Sequence, residues 1–392
     1  MRELLVIFLL FLSIKSNAQV IVHDYVFSGM EATTILSDGS TTNFWGFGKY
    51  NTGTTEDITL PGPVLRYMVG DSVYIHFWND GIDEHTIHLH GLDVDQANDG
   101  VPFTSSDVPA GDSITYRFLA KDPGVYLYHC HVATVFHIPM GMYGMILIDQ
   151  PGNLLYDDGP GYNKEYHFLS SDMDKSWNDN PSSPGVFNAY NPDNFLINGL
   201  SGDQLFEDTA QIIYANAQDS VLLRLGNIGY TSVTYCFPDE LNASIHLSDG
   251  RVLPTAMNID TLKIYPGERY SVLLHPTIYI EDHIDVMVHD LLNDDLLATN
   301  NLGFNLNENS SNVSEESINS WSIYPNPFLD EFTLERKESK PISLNLFGMQ
   351  GQLVKRLRIT GSRLQISLKG LKSGTYFLKD EDGKSTIKLF KH

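Results

Sequence analysis

The chain has 392 residues, 42% of them hydrophobic, and a formal net charge of −24. That length suffices for two or three domains, each with its own core. The acidity argues against nucleic acid as a partner and for a soluble body that cations approach easily. The charge is also uneven. From Trp321 onward 13 Lys and Arg stand against 7 Asp and Glu, whereas the rest of the chain holds 12 against 42.

At the N-terminus, Arg2, the apolar run LLVIFLLFLSI and the small residues Ser16-Asn17-Ala18 predict a signal peptide over residues 1–18. The run is short for a bilayer span, and no later segment is long and apolar enough for one. An exported chain without a transmembrane segment is expected. Strand signals follow in order: DSVYIHFW, SITYRFLA, GVYLYHCHV, YGMILID, VLLRLGNI, RYSVLLH and HIDVMVH. Each is short, rich in β-branched and aromatic residues, and bounded by Gly, Pro or Asp turns. No long segment of helical period competes with them. The fold class is therefore all-β, built from stacked sandwiches. The expected boundaries are a first unit over 19–150, a second over 151–305, a polar Ser/Asn-rich linker over 306–320 and a small basic unit over 321–392.

Two stretches carry chemistry: HTIHLHG, His85 to Gly91, and YLYHCHVATVFHIPMGM, Tyr126 to Met142. Side chains on a strand alternate between faces. His129 and His131 thus point one way and Cys130 the other, and His88 and His90 share a face. Two ligand sets result, back to back. One is Cys130 with His85, His137 and Met142; the other is His88, His90, His129 and His131. Two imidazoles, a thiolate and a weak thioether describe an electron-transfer copper site, whereas zinc more often takes four strong ligands. The all-imidazole set suits copper that binds a small molecule such as dioxygen. Cys130 would link the two, since both its neighbours belong to the other set.

The plainer readings differ residue by residue. A buried cysteine with incidental histidines does not account for five histidines at ligand spacing around it. Met140 is a lesser axial candidate and reads as core. His23, His76, His167, His246, His275, His283 and His392 read as surface or satisfied histidines. A disulfide between Cys130 and Cys236 is what two cysteines in an exported chain ordinarily suggest. The histidines around Cys130 argue against it and leave Cys236 as a buried free thiol.

HTIHLHG and the HCH-x5-H-x4-M pattern resemble the copper motifs of multicopper oxidases, including two-domain relatives of laccases and copper nitrite reductases. The flanks LPGPVLRYMVGDSV, NDGVP, PAGDSITYRF and GMYGMILI resemble their first cupredoxin domain, and FLINGL, LLRLGNIG and VLPTAMNIDTLKIYPGERYSVLL their second. The resemblance covers roughly residues 45 to 300. It implies two cupredoxin-like Greek-key sandwiches and copper as cofactor. His85, Cys130, His137 and Met142 would hold a type 1 copper, and His88, His90, His129 and His131 would hold type 2 or type 3 copper. Asp99 in NDGVP would be a proton donor, although Asn-Asp-Gly is also ordinary turn chemistry. A reductant, either a phenol or a reduced metal ion, would give electrons that reach dioxygen through Cys130.

The departures from the family are informative. A full trinuclear cluster takes eight histidines from two domains, and the first unit offers four. The second has His167, His246, His275, His283 and His289, with no H-x-H pair. His289 in VMVHDLL loosely resembles the histidine that trimeric nitrite reductases lend to a neighbouring subunit, which implies a homo-oligomer such as a trimer. A nitrite-reductase-like site between subunits and a copper-binding electron carrier with a vestigial second site both stay open beside the oxidase. Finally, SIYPNPFLDEFTLE, ISLNLFGMQGQLVKRL and LQISLKGLKSGTYFLKDEDGKSTIKLFKH resemble the C-terminal sorting domain of type IX secretion cargo. That implies a small β-sandwich, the type IX secretion machinery as partner, and a secreted or cell-surface protein.

Overall fold

The computed structural model describes residues 20–307, apart from 52–53, 56–57, 181–189 and 278–280. Beyond residue 320 it describes 321–324, 328, 330–336, 342–348, 352–359, 361, 363–372, 374–380 and 386–391. The expected signal peptide, nearly all of the expected linker, Pro325–Pro327 of the YPNP segment, Gly351 and His392 lie outside the described residues. The chain divides into two compact units, 1–309 and 310–392.

The larger unit holds two sandwiches. In the first, a five-stranded sheet orders Thr54–Thr55, Thr41–Asn51, Ile21–Ile35, Ser72–Asn79 and Ser113–Leu119. A four-stranded sheet orders Leu65–Met68, Tyr143–Asp149, Gly124–His129 and His88–His90. Four of the seven adjacent strand pairs in these sheets are not consecutive in sequence, and Ile21–Ile35 lies parallel to Ser72–Asn79, as in a Greek-key arrangement. Strand Ser72–Asn79 shows why these sequences become strands. Val73, Ile75 and Phe77 are at most 1% exposed, while Trp78 on the other face is 50% exposed. This is the alternation of a half-buried strand.

Strand Gly124–His129 differs: every residue in it is buried. One face of it, with Tyr126, Tyr128 and then Cys130, packs into the core of the first sandwich beside Phe47, Ile75 and Met142. The other face, with Val125 and Leu127, packs with Met145 and Leu147 against Leu169 and Ile228 of the second sandwich. Both faces being covered explains the unbroken apolar run.

The second sandwich pairs a six-stranded sheet with a five-stranded one around a core that includes Phe168, Leu223, Tyr235, Val272, Ile284 and Val286. Its last strand, Leu296–Asn307, runs two residues past the expected boundary at 305. The two sandwiches are clamped by charge as well as apolar contact. Arg224 of the second, 3% exposed, donates to Asp149 at 2.6 Å and Glu165 at 2.5 Å. Arg66 of the first donates to the same two carboxylates, at 2.5 Å each.

The smaller unit is again β. Three strands, Trp321–Tyr324, Glu331–Arg336 and Arg363–Ser367, form one sheet. Leu353–Ile359, Ile342–Gly348, Gly374–Asp380 and Thr386–Lys391 form the other. Phe332, Leu334, Leu344, Leu346 and Leu378 fill the space between. Among the described residues no helix is long and apolar enough to cross a membrane.

Candidate metal centres

His85 sits in the loop after Ser72–Asn79, held by paired backbone hydrogen bonds with Val108 at 3.1 and 3.0 Å. The loop is braced by the buried Asn79, whose amide donates to the carbonyls of Asp83 and Val108 at 2.7 Å. Cys130 follows the end of Gly124–His129, its N–H bonded to the Met142 carbonyl at 3.0 Å. Between Cys130 and His137 the chain turns into a seven-residue helix, Thr134–Met140. Gly141 ends that helix at φ 113°, and a Cβ there would meet the Trp45 carbonyl at 2.6 Å. Only glycine fits such a left-handed cap at this approach. It lets Met142 return to the ladder beside Cys130.

These local structures converge on one point. The Nδ1 atoms of His85 and His137 lie 3.6 Å and 3.2 Å from the Cys130 sulfur. All three residues are buried, and their donor atoms lie within 4.8 Å of one another. Met140 and Met142 are buried in the same apolar cluster. Trp45 packs on both rings, at 6.3 Å from His85 and 5.5 Å from His137. Burial pushes His85 down to about 3 and His137 to about 4, so both imidazoles are neutral and offer lone pairs. Burial pushes the Cys130 thiol up to about 12. A lone buried thiolate is costly, and a cation held by all three donors removes that cost.

The second group forms across a ladder. His88 lies directly opposite His129 in the pairing of His88–His90 with Gly124–His129. The rings of His88 and His129 are 5.1 Å apart, and His90 lies 5.6 Å from each. One nitrogen from each of these three rings falls within 4.8 Å of the others. His131 adjoins them, its ring 5.1 Å from that of His88 and 5.7 Å from that of His129, but its nitrogen is not among the mutually close three. The imidazoles are oriented from behind, as metal-binding histidines ordinarily are. His88 Nδ1 donates to the Asp99 carbonyl at 2.7 Å, and His129 Nδ1 donates to the Cys130 carbonyl at 3.0 Å. His90 lies against Gly267 of the second sandwich, where a Cβ would come 3.3 Å from its ring. Burial lowers His129 to about 3 and His90 to about 4.

Asp99 lies behind His88, its carboxylate 3.4 Å from Nδ1. His289 ends strand Glu281–His289 of the second sandwich and is not among the donors brought to this group. Its Nδ1 is buried without a hydrogen-bond partner among the described residues. Cys130 and Cys236 are both free, so no disulfide joins them. Cys236 is half-buried rather than buried, with its sulfur 3.7 Å from that of Met287.

Two contacts escaped the sequence reading. Thr86 Oγ1 accepts from the His131 N–H at 3.1 Å, which ties the two histidine motifs together. It stands inside HTIHLHG, where a buried polar residue between ligands is a readable signal. Arg269, 5% exposed, lies close beside Gly91 and donates to the Gly267 and Val125 carbonyls. It closes the second-sandwich side of His90, and nothing local in the sequence marks it.

A cupredoxin pair with a buried Cys-His-His group in one core and an imidazole group at the seam defines a copper protein of the two-domain type. Comparison with known proteins agrees. Multicopper oxidase family models match residues 41–153 and 162–294, and a secretion system C-terminal sorting domain matches 322–391. The chain belongs to the multicopper oxidase family, its cofactor is copper, and it carries a sorting domain at its C-terminal end. A copper-containing nitrite reductase of Neisseria meningitidis serogroup B is 27% identical over 244 residues, 57% of this chain and 54% of that protein. Laccase-2 of Botryotinia fuckeliana is 26% identical over 258 residues, 62% of this chain and 42% of that one. The chain thus spans about half the length of the curated relatives it matches. Among solved structures, the blue copper oxidase from Nitrosomonas europaea superposes with a TM-score of 0.59 at 27% identity, covering 74% of this chain and 86% of that one.

Proposed function

We propose that this chain is a secreted copper oxidoreductase that takes electrons from a phenol or a reduced metal ion and reduces dioxygen. The observation that carries the reading is the division around Cys130. Its sulfur faces two imidazole nitrogens in one core, while its flanking histidines face His88 and His90 at the seam. His85, Cys130 and His137, with Met142 as weak axial donor, would hold a type 1 copper; His88, His90, His129 and His131 would hold the second centre. Copper in the first group supplies one-electron chemistry, and copper in the second supplies a place where dioxygen binds.

The chain's own residues account for the rest. Cys130 belongs to both groups: its side chain serves one, and its carbonyl accepts from His129 of the other at 3.0 Å. Charge moving between them has a covalent and hydrogen-bonded path. Trp45 and the buried surroundings exclude water from His85 and His137. Asp99 fixes the tautomer of His88 through its carbonyl, leaving Nε2 as the ligating atom, and its carboxylate beside that ring would be the proton donor at this centre. Export would use the signal peptide over 1–18 and the type IX machinery, which reads the C-terminal unit.

A second reading is an inter-subunit copper site of the nitrite reductase kind. It is supported by the group of only three mutually close imidazoles, which leaves room for a donor from a partner copy in a homo-oligomer. Copper analysis with optical and spin-resonance spectra on the mature protein, together with oxygen and nitrite consumption, tests these readings. An intense visible band that vanishes in Cys130→Ser supports the first centre, and its absence from the wild type overturns it. Oxygen uptake abolished by His88→Ala or His131→Ala with the band intact supports the oxidase. Nitrite consumption without oxygen uptake supports the second reading, and neither activity leaves a copper-binding electron carrier.

A further inference from the structure

The cysteine-centred group is sealed from solvent: His85 is 0% and His137 3% exposed. A donor in solution touches neither imidazole. From His137 outward, however, aromatic rings follow one another without a gap. Phe136 lies 5.7 Å from His137 between ring centroids, Trp177 6.0 Å from Phe136, Tyr190 4.9 Å from Trp177, and Tyr230 5.3 Å from Tyr190. Trp45 thickens the inner end, 5.3 Å from Phe136 as well as 5.5 Å from His137. Phe136 and Trp177 are 8% and 7% exposed, whereas Tyr230 at the far end is 37% exposed. The file crosses the seam, since Phe136 belongs to the first sandwich and the three outer rings to the second.

We propose that this file of rings is the inlet for electrons, running from a one-electron donor seated against Tyr230 to the copper of the His85, Cys130 and His137 group. The proposal rests on the copper reading given above. Electronic coupling falls far more steeply across a void or a water layer than through atoms in contact. Every step here lies within the usual range for packed aromatic pairs, about 4.5–7 Å between centroids.

Packing of the seam alone would explain apolar rings, but it does not explain how the outer end is fixed. Tyr190 donates its hydroxyl proton to Asp172 at 2.7 Å. The same carboxylate, 4% exposed, accepts from the Tyr230 N–H at 2.6 Å and from the Thr231 N–H and hydroxyl at 2.9 Å each. One buried carboxyl group thus pins the last two rings in contact where the file comes out to its most exposed ring, Tyr230. The electron count is simple. The donor loses one electron and the cupric ion gains it to become cuprous; no ring is oxidised and no ring proton moves.

The test is the anaerobic bleaching of the blue band by a hydroquinone in stopped flow, alongside copper content, band intensity and midpoint potential. Trp177→Leu should slow bleaching by about an order of magnitude with the other three quantities unchanged. Trp177→Phe, which keeps a ring, should restore most of the rate. Tyr230→Leu, at the half-exposed end where the core is not disturbed, should slow it too, while Tyr190→Phe should not. Unchanged bleaching in both Trp177→Leu and Tyr230→Leu, with the band intact, overturns the inlet alone. So does a slowing that tracks a shifted potential, or one produced instead by Val135→Asp on the exposed face of helix Thr134–Met140. A wild-type protein with copper bound but no blue band overturns the copper reading, and the inlet with it.

Discussion

His88 and His129 stand directly opposite each other across an antiparallel ladder, rings 5.1 Å apart, while Cys130, the next residue, turns its sulfur to the far side of the same sheet. The pair is therefore set by strand register, and its orientation by what lies behind it. His88 is held through the Asp99 carbonyl, which depends on the turn Asn98-Asp99-Gly100.

That turn gives the first prediction. Gly100 has φ 72°, and a Cβ there would come 1.9 Å from the Ile87 carbonyl, in the residue before His88. Gly100→Ala adds left-handed backbone strain of about 1–2 kcal/mol to that clash. Unfolding should become easier by more than about 2 kcal/mol, and second-centre copper should fall while the blue band is kept. Urea titration and copper analysis measure both. Full second-centre copper in the variant would mean that Asp99 does not position His88.

The clamp between the sandwiches gives the second. Arg224 is buried and faces Asp149 and Glu165, so Arg224→Met leaves two carboxylates sharing only the more exposed Arg66. Breaking a buried pair from one side costs about 3–5 kcal/mol, and the low end is expected here because Arg66 stays. A loss under about 1 kcal/mol in denaturant unfolding would show that apolar contact alone holds the seam.

Acid stability follows from the same clamp. Burial alone would push the Glu165 carboxyl up, but Arg224 and Arg66 outweigh it and hold the group below its ordinary 4.5. The unfolded chain therefore takes up that proton first as pH falls, and acid favours unfolding. The contribution is complete above 4.5 and is lost as pH drops through the lower folded value. Glu165→Gln should be less stable than wild type at pH 7, with a flatter decline below pH 4.5. Parallel decline curves would count against it.

His289→Ala tests completion of the site by a partner copy. On the inter-subunit reading the blue band should persist, light scattering should report an oligomer in the wild type, and copper should fall by about one per chain. Unchanged copper with unchanged turnover would remove His289 from the site.

How much of this was legible in the sequence depends on which period the chain uses. Ser72–Asn79, Ser113–Leu119, Gly124–His129 and Tyr143–Asp149 carry β-branched and aromatic residues at a period of two or in short apolar runs, so their strands and the two-faced histidine pattern could be read directly. Helix Thr134–Met140 could not. Its Val135, Phe136 and Ile138 favour strand locally, Pro139 lies inside it, and it is fixed by Gly141 and by packing on Trp45. What the seam contributes was also hidden. The approach of Gly267 and Arg269 to His90, and of Trp177 to Phe136, depends on how two sandwiches dock, which no local pattern encodes.

The burial of Gly124–His129 on both faces constrains how this gene can vary in length. A single residue inserted between Gly124 and Cys130 would turn the later side chains of this strand, and those of Cys130 and His131 after it, to the opposite face, sending the thiol into the seam and the imidazoles into the core. Both donor groups would be lost in one event, whereas substitutions can remove them one ligand at a time. Insertions should therefore collect in places such as the exposed Leu291–Asp294 turn. The six positions of this strand should be the part of the chain whose length never changes.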